Sequence, residues 1–208
     1  MGRHHSDDEV FDAARALVLQ QGARAARFDT IATASGAAAS TLYRRFSSVE
    51  ELLGEMWIRA ARRSRERFLD AMNEPAAIDA ASAAALALHD FALRQPDDAR
   101  LLASLRREDL VGSAPPRGLV PQLDDLDRQL REAFAELAQR LFGRADRATI
   151  EATVSSVADL PEGAIRRYLI CDDVLPPAVR ASVEARVRAA LVQAGARGAD
   201  PVSNPRGD

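Results

Sequence analysis

The stretch Phe28-Asp29-Thr30-Ile31-Ala32-Thr33-Ala34-Ser35-Gly36-Ala37-Ala38-Ala39-Ser40-Thr41-Leu42-Tyr43-Arg44-Arg45-Phe46 holds two short helical patterns around one glycine. Asp29 is a favourable N-cap, and Thr30, Ile31, Ala32 and Ala34 continue a helix that Gly36 breaks. A second short helix follows from about Ala39 to Phe46, with Leu42 and Phe46 four apart on one face. Two helices of about seven residues joined by a tight glycine turn make a helix-turn-helix, whose second helix can enter a DNA major groove. The outward residues suit that role. Ser40 and Thr41 can bond phosphates or base edges, and the Tyr43 hydroxyl can reach a phosphate. Arg44 and Arg45 can neutralise phosphates or pair with guanine. With Arg27 and Ala39 at the flanks, these are the candidate DNA contacts. Ile31, Leu42 and Phe46 are the expected inward face.

The flanking segments fit a helical frame. Ser6-Asp7-Asp8-Glu9 has capping-box spacing and opens a helix through Val10, Ala14, Leu17 and Val18 that stops at Gly22. Ser48-Val49-Glu50-Glu51 is a second such box. It opens a long helix through Leu52, Leu53, Met56, Trp57 and Ala60 to near Met72, about 36 Å at 1.5 Å per residue. Ala76–Arg94 is apolar nearly all round, as a buried central helix would be. Pro96 starts a helix expected to reach about Leu110, and residues 112–118 read as a loop. Leu123, Leu126, Leu130, Phe134, Leu137 and Leu141 trace an amphipathic helix that ends at Gly143. Residues 146–172 read as one helix interrupted at Pro161 or two abutting ones. Pro176–Ala194 ends at Gly195, and the polar tail 196–208 is expected to be disordered. The fold class is all-α, with about nine helices and no strand. The domains are a helix-turn-helix head at 1–48, a helical body at 49–195 and the tail.

Composition agrees. The chain has 208 residues, 47% of them hydrophobic and 28% charged, an ordinary globular balance. All 28 basic residues are arginine and 42 residues are alanine, two strong helix formers. A GC-rich genome accounts for that bias without any functional reason. The net charge of −3 argues against a general nucleic-acid coat. Residues 1–68, however, hold 11 Arg against 9 acids, and the remainder 17 against 22. A weakly basic head sits on an acidic body. A lone Cys171 excludes a disulfide scaffold and is read as a partly buried, inert thiol. Without clustered Cys and His no metal site is expected, and no cofactor either. Met1–Val10 is polar, so no secretory leader is read, and no apolar run is long enough to span a bilayer. No phosphate loop, nucleophile elbow or His-Glu-x-x-His motif is present, and no catalytic residue or enzyme activity is expected.

The quoted stretch, continued by Ser47 to Leu52, resembles the N-terminal domain of TetR-family transcriptional regulators, over about residues 6–57. The resemblance implies a cytoplasmic, bacterial homodimer that binds a palindromic double-stranded DNA operator, most often as a repressor. It also implies a small-molecule effector bound among the helices between about 52 and 172. The last two long helices would pair with their mates in a four-helix bundle, with Val179, Val183, Val187 and Ala190 as the seam. The chain departs from the family pattern in three places. Val49 replaces a cation at the start of the fourth helix, Ala38 leaves the third helix without a side-chain cap, and Arg45 stands where histidine is common.

Within the body, the candidate effector contacts are Trp57, His89, Phe91, Arg106, Phe134 and Tyr168, each of which also has an ordinary core or surface reading. The run Arg59, Arg62, Arg63, Arg65, Arg67 reads as a solvated or salt-bridged helix face rather than a DNA arm. Arg106, Arg107, Glu108 and Asp109 could form an interdomain salt-bridge set. An alternative function is a ligand-binding or protein-interaction dimer whose head no longer binds DNA, a reading motivated by Val49, Ala38 and the overall acidity.

Overall fold

Ser6 caps the first helix as its spacing requires. Its hydroxyl accepts from the Glu9 N–H at 3.3 Å, and its own N–H donates to the Glu9 carboxylate at 3.0 Å. In the computed structural model, which describes residues 6–106, 109 and 116–199, this helix is α1, Asp7–Gln21. A 3₁₀ turn at Ala23–Ala25 leads to α2, Phe28–Ser35, and α3, Ala39–Arg45. The N-cap of α2 is Arg27, not Asp29. Thr30 closes the turn by accepting from the Arg27 N–H at 2.9 Å and donating to the Arg27 and Ala25 carbonyls. A threonine at the third position thus does the work expected of the aspartate. Gly36 takes φ +73°, the left-handed conformation that glycine adopts without steric cost. α3 begins at Ala38 with no side-chain cap.

α4 spans Val49–Ala71. Ser48 accepts from the Glu51 N–H at 3.2 Å, but the Glu51 carboxylate turns to Ser47, whose N–H donates at 2.6 Å. The box is therefore displaced by one residue on its return side. The two Ser47 donors hold the Glu51 carboxyl below the usual range, against the opposing effect of burial.

The body adds α5 (Ala77–Arg94), α6 (Pro96–Ser104), α7 (Val120–Phe142), α8 (Arg147–Val154), α9 (Leu160–Cys171) and α10 (Pro177–Ala199). α6 stops well short of Leu110. α8 and α9 are joined through a π-helical turn at Ser155–Asp159, which settles the ambiguity at Pro161. A proline cannot donate to the carbonyl one turn back, and widening the helix just before it absorbs the missing bond. α10 continues past Gly195 to Ala199, beyond its expected end. Residues 200–208, Arg107, Glu108 and the greater part of the loop at 112–118 lie outside the described residues. All described regular elements are helical.

α5 is the central rod and packs on α4, α6, α7, α9 and α10. Its alanines Ala80, Ala81, Ala84 and Ala85 are buried and let those helices approach closely. Val183, Val187 and Leu191 of α10 are buried in the same core. The expected dimer seam is thus corrected, because Val183 and Val187 face their own protomer. The head core of Val10, Phe11, Ala14, Ile31, Leu42 and Phe46 is continuous with Leu52, Leu53 and Met56 of α4 and with Leu101 of α6. Cys171 is exposed rather than partly buried.

Because the folded-state pKa of Glu51 lies below that of the unfolded chain, its stabilisation is present above the ordinary glutamate pKa and lost as pH falls through it. Wild-type stability should therefore decline below about pH 5 more steeply than that of Glu51→Gln, measured by urea unfolding at stepped pH. Parallel curves would contradict the cap.

Candidate nucleic-acid interface and ligand cavity

The short helix α3 buries Leu42 and turns Ser40, Thr41, Tyr43 and Arg44 to solvent. Ser40, Thr41 and Arg44 have no side-chain hydrogen bond or ion pair among the described residues. Tyr43 is 60% exposed, and its ring lies edge-on to Phe28 at 4.6 Å, which fixes its direction while leaving the hydroxyl outward. Arg27 is exposed and Ala39 half-buried at the flanks of this face. Arg45 is placed differently. It pairs with Asp7 at 3.2 Å and Glu55 at 3.5 Å, and its guanidinium lies 4.9 Å from the Phe46 ring centroid. Burial raises the Glu55 pKa against the pull of Arg45. Val49 packs half-buried on the head core, so the position where a cation would reach outward serves packing instead.

Behind this face an ion cluster ties three helices together. Asp98, the third residue of α6, is 2% exposed, and its two oxygens accept from Arg15 of α1 and from Arg63 of α4, the latter at 3.1 Å. Its place in the first turn of α6 adds the favourable end of the helix dipole. Arg59 of α4 donates to Asp8 at 2.7 Å and Asp12 at 2.6 Å, both on α1. Burial works against the Arg59 charge, but those two carboxylates outweigh it and raise its pKa. These are interdomain salt bridges among the described residues; the expected set at Arg106–Asp109 includes Arg107 and Glu108, which lie outside them.

Between α4, α5, α6, α7 and the α8–α9 rod lies a cavity of about 350 Å³. Phe68 and Phe134 form a ring pair at its wall, with centroids 5.4 Å apart. Trp57 gives its indole N–H to the Leu105 carbonyl at 3.4 Å and presents its ring to the cavity. α6 contributes Ala99, Leu102 and Ala103, and the π turn contributes Val157 and Ala158. The polar lining is Ser64, Arg65, Glu162 and Arg166. An apolar cavity of this size with a few polar groups is the common form of a small-molecule site.

Of the residues singled out in the body sequence, Trp57 and Phe134 are brought together at this cavity, and the other four are not. His89 is buried on α5 beside Asp90, Phe91 is fully buried in a neighbouring cluster, Arg106 is exposed, and the Tyr168 ring carries Arg167. Sequence reasoning missed Arg65, which it placed in a solvated arginine run. Helical spacing held the signal, since Trp57, Ala61, Ser64, Arg65 and Phe68 recur at three- and four-residue steps on one face. It also missed Asp98, which no local pattern separates from Asp97. Among the described residues no group of His, Cys, Asp and Glu could hold a metal, and no helix is long and apolar enough to cross a membrane.

The described residues thus form a helix-turn-helix with an exposed second helix, carried by a helical body with a cavity. Residues 10–56 match the model of the bacterial regulatory proteins of the tetR family. The match covers the N-terminal helices and the helix-turn-helix, and no more of the chain. Solved structures share the fold over nearly the whole chain. A transcriptional regulator from Pseudomonas aeruginosa PAO1 is 18% identical, with TM-score 0.72 over 95% of each chain. A TetR-family regulator from Streptomyces coelicolor is 20% identical, with TM-score 0.66 over 93% of this chain and 92% of that one. FadR from Bacillus subtilis, solved with stearoyl-CoA, is 11% identical, with TM-score 0.67 over 89% and 98%. No curated protein matches the chain in sequence.

Without Asp98, Arg15 keeps Asp12 and Asp97 and Arg63 keeps Asp8, so what is lost is the carboxylate's charge-assisted hydrogen bonding, worth about 1.5–3 kcal/mol. Asp98→Ala should lower the unfolding free energy by about that amount in urea titration, whereas a loss under about 1 kcal/mol would show that the cluster does not hold α1, α4 and α6 together.

Proposed function

We propose that the protein is a homodimeric, ligand-responsive transcriptional repressor, cytoplasmic and bacterial, that reads a palindromic operator. The observation that carries the DNA role is the α3 face, where Ser40, Thr41, Tyr43 and Arg44 stand outward while Leu42 anchors the helix beneath them. Arg44, without an ion pair among the described residues, is a cation available to phosphate or guanine. Arg27, Ala39 and the backbone around Ser40 complete the footprint. Arg45 would have to leave Asp7 and Glu55 to join it.

Two heads related by a two-fold axis need a dimer. The outer face of α10 supports one, since Ala178, Ser182, Ala185 and Ala189 lie along it in exposed positions with Val192. Small residues on adjoining turns let a mate approach closely. In this reading the bundle forms through the α10 face opposite the Val183 and Val187 stripe.

The effector fits the cavity between α4 and α9. That FadR from Bacillus subtilis was solved with stearoyl-CoA supports a ligand with an apolar acyl part in this fold. A ligand there touches α4 and α6, both of which reach the head, and favours one head arrangement by binding it better.

Paired Arg45 and half-buried Val49 favour the second reading, a ligand-binding dimer with a silent head. Selection of duplexes from a random pool separates the two. The repressor reading predicts enrichment of inverted half-sites, with Arg44→Ala weakening binding to the selected duplex and lowering the salt slope by about one. Ala185→Arg, on the exposed α10 face, should give a folded monomer in sedimentation equilibrium. No enriched site, or an unchanged salt slope, would overturn the DNA role.

A further inference from the structure

Arg65 sits on the cavity wall in a condition its neighbours do not share. Its Nε and Nη1 are shut off from solvent and have no hydrogen-bond acceptor. Arg15 and Arg59 also leave Nε unpartnered, yet both spend their terminal nitrogens on carboxylates. Burial lowers the Arg65 pKa, opposed by the charges of Asp127 and Asp125 on α7. Neither carboxylate accepts a hydrogen bond from Nε or Nη1. A guanidinium cannot shed its proton at any physiological pH, so it carries a full charge here. The other ionic residues of the lining, Glu162 and Arg166, pair with each other at 3.1 Å and neutralise one another.

Around Arg65 the wall is apolar, with Trp57, Ala61 and Phe68 on its own helix and Phe134 and Leu130 opposite. A half-buried guanidinium with two enclosed, unmet donors at the wall of a largely apolar chamber suits a ligand that supplies an acceptor. The planar fork of Arg matches the two oxygens of a carboxylate. A volume of about 350 Å³ has room for roughly a dozen non-hydrogen atoms at the liquid-like packing of about 30 Å³ each.

We propose that Arg65 anchors the carboxylate of the effector, which is a medium-length amphiphilic acid whose apolar body fills the chamber between Trp57, Phe68 and Phe134. This rests on the cavity being the effector site and adds the ligand class and the specificity-determining residue. Arg65 acts through two unmet donors, so an uncharged alcohol of equal length forfeits the charge and the second acceptor oxygen while keeping the apolar contacts.

The test uses decanoate and decan-1-ol, titrated into the full chain and followed by fluorescence. The chain has one tryptophan, Trp57, and it lines the chamber. Wild type should bind decanoate at least tenfold more tightly than decanol. Arg65→Met, close in length and without charge, should lose that preference while still binding decanol, and Arg65→Lys should regain part of it. Loss of decanoate binding with decanol binding intact separates an anchoring role from a folding defect. Equal affinities of wild type for acid and alcohol, or an unaltered preference in Arg65→Met, would overturn the anchor while leaving the cavity as the effector site. A flat Trp57 signal with both probes would overturn the anchor and the cavity reading together.

Discussion

The Asp98 carboxylate is the constraint on which the arrangement of head and body depends. A charge so buried is tolerated only where its oxygens are satisfied, and the satisfying groups come from two other helices, Arg15 on α1 and Arg63 on α4. Moving α1 or α4 alone takes one of two cations from the buried carboxylate, and moving α6 alone takes both. Arg59, bridging Asp8 and Asp12, repeats the tie between α1 and α4 on the adjoining turns. The apolar core continues across the same junction, with Leu52, Met56 and Leu101 packed against the α1–α3 residues. Head and body meet through both kinds of contact.

The consequence for function follows from what else those helices carry. The α6 residue Asp98 is adjacent to Ala99 and one turn before Leu102, both of which line the cavity. α4 carries Arg59 and Arg63 toward α1, and Trp57, Ser64, Arg65 and Phe68 toward the cavity, on faces of one rod. The hydrogen bond from Trp57 to Leu105 joins the two helices beside the chamber. A ligand that changes the spacing of α4 and α6 acts on the same elements that set the direction of α3. This gives a physical route for coupling, namely two sites that bias a shared pair of helices.

The sequence pattern foretold the helical frame because its signals are local. Ser6 and Glu9, Gly22, Gly36, Pro96 and Gly143 act within one turn of themselves, and the structure ends or begins helices at each. Where a tertiary partner decides, the pattern was silent or misleading. The valine stripe of α10 announced an apolar face but not whether it met α5 or a second chain, since both are apolar surfaces. Thr30 displaced Asp29 as the capping side chain because the chain entering from Ala25 offered it a second carbonyl. Arg65 looked like one more exposed arginine because its composition-level neighbours are arginines, while its burial depends on α7 and the α8–α9 rod, far away in sequence. Trp57 and Phe134 were singled out as aromatics and do line the chamber. Phe91 and Tyr168, singled out likewise, and His89 and Arg106, singled out as polar groups, lie elsewhere, because residue type does not reveal which side of a helix the cavity occupies.

In the proposed repressor the cavity and the DNA-reading face compete for the same arrangement of α4 and α6. The most direct measurement is the affinity of decanoate, read by Trp57 fluorescence, for the protein alone and for the protein saturated with its selected duplex. Coupling of ordinary strength makes the DNA-bound protein bind the acid at least about fivefold more weakly. Equal affinity in the two states would contradict the account, because a ligand indifferent to the arrangement of the heads cannot regulate them.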